Sequence, residues 1–463
     1  MSLFGTHVLV LGLGESGLAM ARWCARQGAE LRVADSRAAP PGLDALARDI
    51  PAAELRCGQF DDSLLDGIAL LALSPGLAPH EPLVQEAKRR GIEVVGEIEL
   101  FARALRDLGW RERTKVIAIT GTNGKTTTTT LTGALCRACG LVTEVAGNIS
   151  PAALDALMRV LDAGTVPDAW VLELSSFQLE TTETLDADAA TVLNVTQDHL
   201  DRHPGGMPAY AAEKARIFGT HTVQVLNRDD PWVAAMRRDG ARAIAFGDGA
   251  PAVGDYGLAA RDGGVWLMRG AQPLLALDDM KLAGRHNAHN ALAALALCEA
   301  VGLPLERCVA ALRDFAGLPH RVETVLDAGG VRFIDDSKGT NVGATVAAIE
   351  GLGRPLAIIL GGDGKGQDFA PLGPVCARHA RFCALIGRDA PAIAEVLAAH
   401  GVPHRSFATL EEATRAAYAA AAPGDAVLLS PACASLDMFR NYAHRAEVFI
   451  AEARRIAAEG VRP

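Results

Sequence analysis

The chain is 463 residues long, 49% hydrophobic and 22% charged, with a formal net charge of −10 at pH 7. That length suits about three ordinary domains with separate cores, and the acidic balance argues against a broad basic surface for nucleic acid. Nine cysteines, spread from Cys24 to Cys433, do not make a disulfide framework and read as reduced thiols of the cytosol. The N-terminus lacks a basic leader pattern, and Glu299 interrupts the alanine-rich run from Ala291 to Val301, so neither secretion nor a membrane span is expected.

His7 to Leu11 predicts a first strand, followed by Gly12-Leu-Gly14-Glu15-Ser16-Gly17 and an amphipathic helix to about Arg26. A second strand, Leu31 to Ala34, ends on Asp35. This is the spacing of a dinucleotide-binding turn, whose glycines admit a pyrophosphate and whose acid reaches a ribose. From these residues alone NAD, another nucleotide, and a purely structural turn all stay open. Ala69 to Leu73 reads as a strand ending in Ser74-Pro75-Gly76, at the edge where open parallel sheets bind ligands.

A charged helix is expected from about Gly96 to Arg113, with a domain boundary near residue 103. Val116 to Ile119 then reads as a buried strand, Thr120 to Lys125 as a tight turn, and Leu131, Ala134, Leu135 and Ala138 as the buried face of a helix. Unpaired amides at such a helix start face an anion that the helix dipole also favours. Lys125 would reach the outer phosphates of a nucleotide and the Thr126 hydroxyl would ligate Mg²⁺. Ile119 stands where the phosphate-loop pattern has its first glycine, so a chance turn with an exposed lysine is the bland alternative. Cys136 and Cys139 form a C-x-x-C inside this helix and read as packing residues.

Trp170 to Glu173 and Thr191 to Val195 read as two further strands. An acid at a strand end beside a phosphate loop suits a nucleotide-bound Mg²⁺, although Glu173 also reads as a buried, satisfied acid. Asp198, His199, Asp201 and His203 invite a zinc reading, but without a nearby thiolate, and beside a phosphate loop, Mg²⁺ is the expected metal. Tyr210 to Phe218 is helical, and Lys214 within it reads by itself as a solvated lysine. Residues 220 to 280 look β-rich, and His286 and Asn290 share one face of a helix start, as a cap or as ligand contacts. A second boundary is expected near Gly317. Beyond it Val331 to Ile334, Ala357 to Leu360 and Ala426 to Leu429 each lead into a polar loop, as a parallel sheet with a site at its carboxyl edge requires.

Seven stretches taken in order resemble the motifs of the Mur ligases: Gly121-Thr-Asn-Gly-Lys-Thr-Thr127, Glu173-Leu-Ser-Ser-Phe-Gln-Leu179, Asp198-His-Leu-Asp201, Gly284-Arg-His-Asn-Ala-His-Asn290, Leu318-Pro-His-Arg321, Asp335-Asp-Ser-Lys-Gly-Thr-Asn341 and Ser430-Pro-Ala-Cys-Ala-Ser-Leu-Asp437. The resemblance implies an α/β fold of three domains. Residues 1–103 would form a Rossmann-like domain for a UDP-linked substrate. Residues 104–317 would form a P-loop ATPase-like parallel sheet with a small β-rich addition. Residues 318–463 would form a Rossmann-like domain for ATP and glutamate. The implied enzyme is a cytoplasmic, monomeric ligase of peptidoglycan synthesis that adds D-glutamate to UDP-N-acetylmuramoyl-L-alanine through an acyl phosphate.

By the same resemblance, Gly121, Thr122, Asn123, Gly124, Lys125, Thr126, Thr127, His286, Asn287, Asn290, Arg321, Asp336 and Lys338 would meet ATP. Thr126, Glu173, His199 and Lys214 would serve two Mg²⁺ ions, Lys214 as a carbamate derived from CO₂, and Lys125, Glu173, His199, Lys214 and Lys338 would carry the catalysis. Gly14, Glu15, Ser16, Asp35, Ser36, Arg37, Ser74, Asn148 and His199 would hold the UDP substrate, in place of NAD. Glutamate would fall to Thr340, Lys365, Ser435, the Leu436 backbone and Tyr442. Met438 and His203 depart from the family pattern. The resemblance leaves an L-glutamate-adding relative and a folylpolyglutamate synthase as neighbouring readings, the latter opposed by the Asp336-Ser-Lys motif. A nicotinamide oxidoreductase or a nucleotide-binding switch leaves the polar loops of the last domain without a role.

Overall fold

Residues 3–198, 202–282 and 284–460 are described by a computed structural model. The chain divides into two compact units, the second made chiefly of residues 314–460 with residues 277–289.

The first unit holds two sheets. Strands β1 (His7–Leu11), β2 (Glu30–Asp35), β3 (Glu54–Cys57), β4 (Leu70–Leu73) and β5 (Glu93–Val95) pair in the order β3-β2-β1-β4-β5, all parallel. Val8 to Leu11 and Leu70 to Leu73 are buried throughout, which is why they read as continuous apolar runs: helices and loops cover both faces. The chain leaves β1 towards β2 on one side and meets β4 on the other, opening a crevice at the carboxyl ends of β1 and β4.

The second sheet contains β6 (Lys115–Thr120), β7 (Thr143–Gly147), β8 (Ala169–Glu173), β9 (Ala189–Val192), β10 (Val223–Asn227), β11 (Ala243–Asp248), β12 (Tyr256–Arg261), β13 (Gly264–Arg269) and β14 (Gln272–Ala276). Their order is β14-β13-β12-β11-β10-β9-β6-β8-β7, parallel from β7 to β12 and antiparallel in the β12–β14 meander. The β-rich stretch therefore continues the main sheet. The strand expected to reach Val195 stops at Val192, because Leu193 and Asn194 turn to meet the neighbouring loop. The charged helix is shorter than expected, Glu97–Asp107, and ends where Gly109 takes a φ of +63°.

The second unit has six strands, β15 (Glu323–Ala328), β16 (Val331–Asp335), β17 (Leu356–Gly361), β18 (Ala380–Ile386), β19 (His404–Ser406) and β20 (Ala426–Leu429), in the order β15-β16-β20-β17-β18-β19. Only β15 runs antiparallel. Alternate residues serve opposite cores: Ile358 and Leu360 pack in one cluster, Ala357 and Ile359 in the other. No described helix is long and apolar enough to cross a membrane.

Candidate active site

Strand β6 lies between β8 and β9, with Ile119 in register with both Glu173 and Thr191. The turn after β6 consequently emerges with the end of β8 on one side and Asn194 on the other. Gly121 and Gly124 hold φ values of +150° and +84°, and Gly124 precedes the helix Lys125–Ala138. A side chain at Gly124 would strike Asn290 Oδ1, and one at Gly121 would come 3.0 Å from Leu193 Cβ, so both positions demand glycine. Asn194 fastens the turn: its carbonyl accepts from the Thr122 amide at 2.9 Å, its Oδ1 accepts from the Asn123 amide at 2.8 Å, and its Nδ2 donates to the Asn123 carbonyl at 3.1 Å.

Two lysines converge on this turn. Lys125 Nζ donates to the carbonyls of Gly121 and Thr122 at 2.9 and 2.8 Å, and Lys214 Nζ donates to Gly121 O at 2.9 Å. Far from being solvated, Lys214 is 1% exposed on the helix Gly206–Ala215, with its Nζ 4.5 Å from the centre of the Tyr210 ring. Tyr210 Oη in turn lies 3.3 Å from Thr122 Oγ1. His203, the departure from the family pattern, is buried 3.3 Å from Ser176 Oγ and packs against Tyr210.

Glu173 ends β8 and is 2% exposed. Its Oε1 accepts from Asn148 Nδ2 at 2.8 Å, while its buried Oε2 has no hydrogen-bond partner among the described residues. A buried carboxylate oxygen without a donor is costly unless a cation or proton compensates it. At the end of β8, next to the strand whose turn leads into the helix Lys125–Ala138, this orphaned oxygen fits a divalent metal. His199 and Asp201 lie outside the described residues.

The crevice above β1 and β4 is a cleft of about 450 Å³ lined by Gly14, Glu15, Ser16, Asp35, Ser36, Arg37 and Ser74, all seven expected there. Gly17 lets the helix start pack tightly against the turn, since a side chain there would overlap the Gly12 carbonyl. Asp35 faces inward on its own protein: Oδ2 accepts from the Leu13 amide at 2.7 Å and from Arg37 Nη2 at 2.6 Å. Its hydrogen bond to Arg37, helped by the Leu13 and Arg37 amides, lowers its pKa to about 2. Ser150 Oγ donates to Glu15 Oε2 at 2.9 Å, tying the cleft to the loop that carries Asn148. Glu97, 1% exposed, accepts from the Leu154 amide at 3.0 Å at the start of the helix Ala153–Asp162, and burial pushes its pKa up to about 7.

In the second unit the polar loops follow β16, β20 and β17, which are neighbours. Asp336 Oδ2 accepts from Ser430 Oγ at 2.7 Å, and burial pushes this carboxyl up to about 7 against the opposing charge of Arg321. Lys338 Nζ sits 3.8 Å from the centre of the Tyr442 ring. Thr340 turns back on Lys338 through a 2.9 Å amide bond. Lys365 is exposed at a φ of +52°, and the Asp363–Ala434 backbone bridge ties its loop to that of Ser435 and Leu436. Ser435 is buried and Leu436 is 72% exposed. Met438 packs on the apolar cluster around Phe449, away from polar work. The structure thus gathers Thr340, Lys338, Lys365, Ser435, Leu436 and Tyr442 at one sheet edge. His286 packs against Gly284 and Gly351, and desolvation lowers its pKa to about 4, which leaves the imidazole neutral at pH 7. Asn287 is buried in this unit, while Asn290 belongs to the first.

Three residues went unrecognised in the sequence. Asn194 and Tyr210 brace the phosphate turn, and Arg445 is wholly buried on the helix Tyr442–Glu459. Arg445 donates to Ser337 Oγ, Ser337 O and Cys433 O at 3.0, 2.8 and 3.1 Å, joining the loops that follow β16 and β20. An amide side chain just past a strand adjoining a phosphate-loop strand was the available signal for Asn194. Nothing local marks an arginine as buried.

Comparison with known proteins agrees with this arrangement. Residues 6–96 match "Mur ligase MurD-like, N-terminal domain", residues 119–298 "Mur ligase middle domain" and residues 320–433 "Mur ligase, glutamate ligase domain". UDP-N-acetylmuramoylalanine--D-glutamate ligase of Aromatoleum aromaticum is 60% identical over 459 residues, 98% of each chain. The protein of the same name from Dechloromonas aromatica is 56% identical over 451 residues, 97% of this chain and 98% of its own. Among solved structures, UDP-N-acetylmuramate-alanine ligase from Thermotoga maritima superposes with a TM-score of 0.59 at 18% identity, over 97% of this chain and 99% of that one. A pseudomurein peptide ligase type C from Methanothermus fervidus gives the same TM-score and identity over 97% of this chain and 100% of its own.

Proposed function

Because this chain belongs to the Mur ligase family, we propose that it joins D-glutamate to UDP-N-acetylmuramoyl-L-alanine at the expense of ATP, acting as a cytoplasmic monomer. The observation that carries this reading is the continuity of the first unit. A nucleotide-sized cleft runs through the Glu15–Ser150 and Asn148–Glu173 hydrogen bonds to a phosphate turn. A UDP-linked acid and a nucleoside triphosphate would thus lie along one sheet edge.

A carboxylate is a poor electrophile, so the reading requires transfer of the γ-phosphoryl group to the alanyl carboxylate before the glutamate amine displaces phosphate. Gly14, Glu15, Ser16, Ser36, Arg37 and Ser74 bind the uridine diphosphate, with Asp35 holding Arg37 and the Leu13 backbone in shape. The amides of residues 121–127 and Lys125 cradle the ATP phosphates. Thr126, Glu173 and Lys214, with His199, would hold Mg²⁺, which neutralises the crowded anionic charge when bound. As a carbamate, Lys214 keeps an N–H for the Gly121 carbonyl and gains a carboxylate for the metal. His286, Asn287, Asn290, Arg321, Asp336 and Lys338 complete the nucleotide contacts. Lys338 adds cationic charge where phosphate accumulates. Thr340, Lys365, Ser435, the Leu436 backbone and Tyr442 orient glutamate, with Lys365 facing a carboxylate. We divide the chain near residues 103 and 317 for these three tasks.

The test is phosphate release on addition of ATP, Mg²⁺, UDP-N-acetylmuramoyl-L-alanine and either enantiomer of glutamate. Release that requires D-glutamate supports the reading. Release with L-glutamate alone, or with a different amino acid and not glutamate, overturns it.

A further inference from the structure

The C-x-x-C of the phosphate-turn helix has no place in the ligase reading. In the first unit it meets two other cysteines. Cys136 is buried on the helix Lys125–Ala138, Cys139 caps that helix, Cys298 lies on Arg285–Ala300 and Cys308 on Leu305–Asp314. Cys139 Sγ stands 3.6 Å from Cys308 Sγ, and the Cys298 thiol lies beside those of Cys308 and Cys136. The thiols form a chain, Cys139-Cys308-Cys298-Cys136, of which Cys139 is the one partly exposed member. In the second unit Cys376 and Cys383 also pair, but both are fully buried.

We propose that Cys139 and Cys308 are a redox-active pair that closes into a disulfide when the protein meets a peroxide. The sulfurs need only close from 3.6 Å to the bonded length of about 2.05 Å, and Cys139 is partly exposed to solvent. Exposure assigns the roles: Cys139 is the partly exposed member and Cys308 is buried, so Cys139 meets the oxidant and Cys308 closes the bond. Cys139, once deprotonated, attacks one peroxide oxygen, the O–O bond breaks, and the departing hydroxide takes a proton to become water. Cys308 then attacks the Cys139 sulfenic acid; the S–S bond forms, the S–O bond breaks, and the Cys308 proton leaves with the oxygen as a second water. The two thiols lose two electrons and hydrogen peroxide gains them. A soft metal fits less well, since among the described residues no three of these sulfurs lie within 4.8 Å of one another.

The test uses the full chain with hydrogen peroxide, alkylation of the remaining thiols and peptide mapping. The expected product is one intramolecular Cys139–Cys308 link, reversed by dithiothreitol, with Cys376 and Cys383 still alkylated after denaturation. In a Cys308→Ser variant, dimedone should label Cys139. The proposal is overturned if Cys139 and Cys308 both remain free thiols at a peroxide dose that oxidises the exposed Cys57. It is equally overturned if the only link joins Cys57 of two copies, or if the purified chain carries zinc released when these thiols are alkylated.

Discussion

The phosphate turn of the first unit and the 335–341 loop of the second both follow a parallel strand at a carboxyl edge, yet they are held by different chemistry. The turn's amides are held by a neutral side chain, Asn194, with glycines that leave no room for alternatives, while Lys125 and Lys214 sit on its carbonyls. The second loop is fixed by ionisable groups: Asp336 on Ser430, His320 on Asp335 at 2.6 Å, and Arg445 threaded between two loops. The Asn194 brace is indifferent to pH, whereas the buried carboxyl groups of the second loop tie its stability to protonation and to the loss of any one partner. The first arrangement suits a site that must stay formed. The second makes its loop responsive to charge.

That contrast breaks most sharply at the lysines. Lys125→Ala should cut ATP-dependent phosphate release on the order of 10³-fold without unfolding the turn, because Asn194 still holds it. Lys214→Ala should be similarly damaging, and a short carboxylic acid such as acetate should restore part of the rate; near-normal turnover in that variant would remove Lys214 from the site. In the second unit Arg445→Leu leaves the Ser337 and Cys433 carbonyls unsatisfied and should cost about 3 kcal/mol. Hydrogen exchange should show lost protection at β16 and β20 with β6 and β8 unchanged; uniform loss across both units would contradict the account.

Smaller effects sharpen the comparison. Asn194→Ala should weaken the use of ATP by about 2 kcal/mol, seen as a higher KM for ATP whose size is the same at pH 6 and pH 8. Asp336 behaves in the opposite way. Its carboxyl is raised to about 7, so the folded state keeps a proton that the unfolded chain releases. Its contribution is therefore most favourable at low pH, declines as pH rises from about 4 to 7, and is flat above that. Asp336→Asn should stabilise the second unit by about 1 kcal/mol or more at pH 8 and leave it unchanged at pH 4, as urea titrations at the two pH values would show.

The parallel strands were largely legible. Leu9 to Leu11, Ile117 to Ile119 and Ile358 to Leu360 are apolar runs buried on both faces, and a positive-φ glycine, Gly12, Gly121 or Gly361, stands at or just past the end of each strand. Short edge strands such as β3 and β19, half polar and partly exposed, carry no such signal. Residues of the cleft above β1 and β4 could be placed because a turn, a helix start and a strand-end acid are close in sequence. Lys214 read by itself as a surface residue, since a buried lysine looks like any other until its Gly121 partner, 93 residues away, is known. The family motifs, and not periodicity, pointed to it.

What the sequence determined by itself were the local modules: strand, glycine turn and helix, whose conformations follow from side-chain shape and from φ values that only glycine holds without strain. What only the tertiary structure decided was which modules meet. Pairing of β9 with β6 puts Asn194 beside the phosphate turn, continuation from β11 into β12 makes the β-rich stretch part of the same sheet, and three helices bring four scattered cysteines into one chain. These are contacts between residues far apart in sequence. They depend on strand register and on how helices cover a sheet, and neither is written in any local pattern.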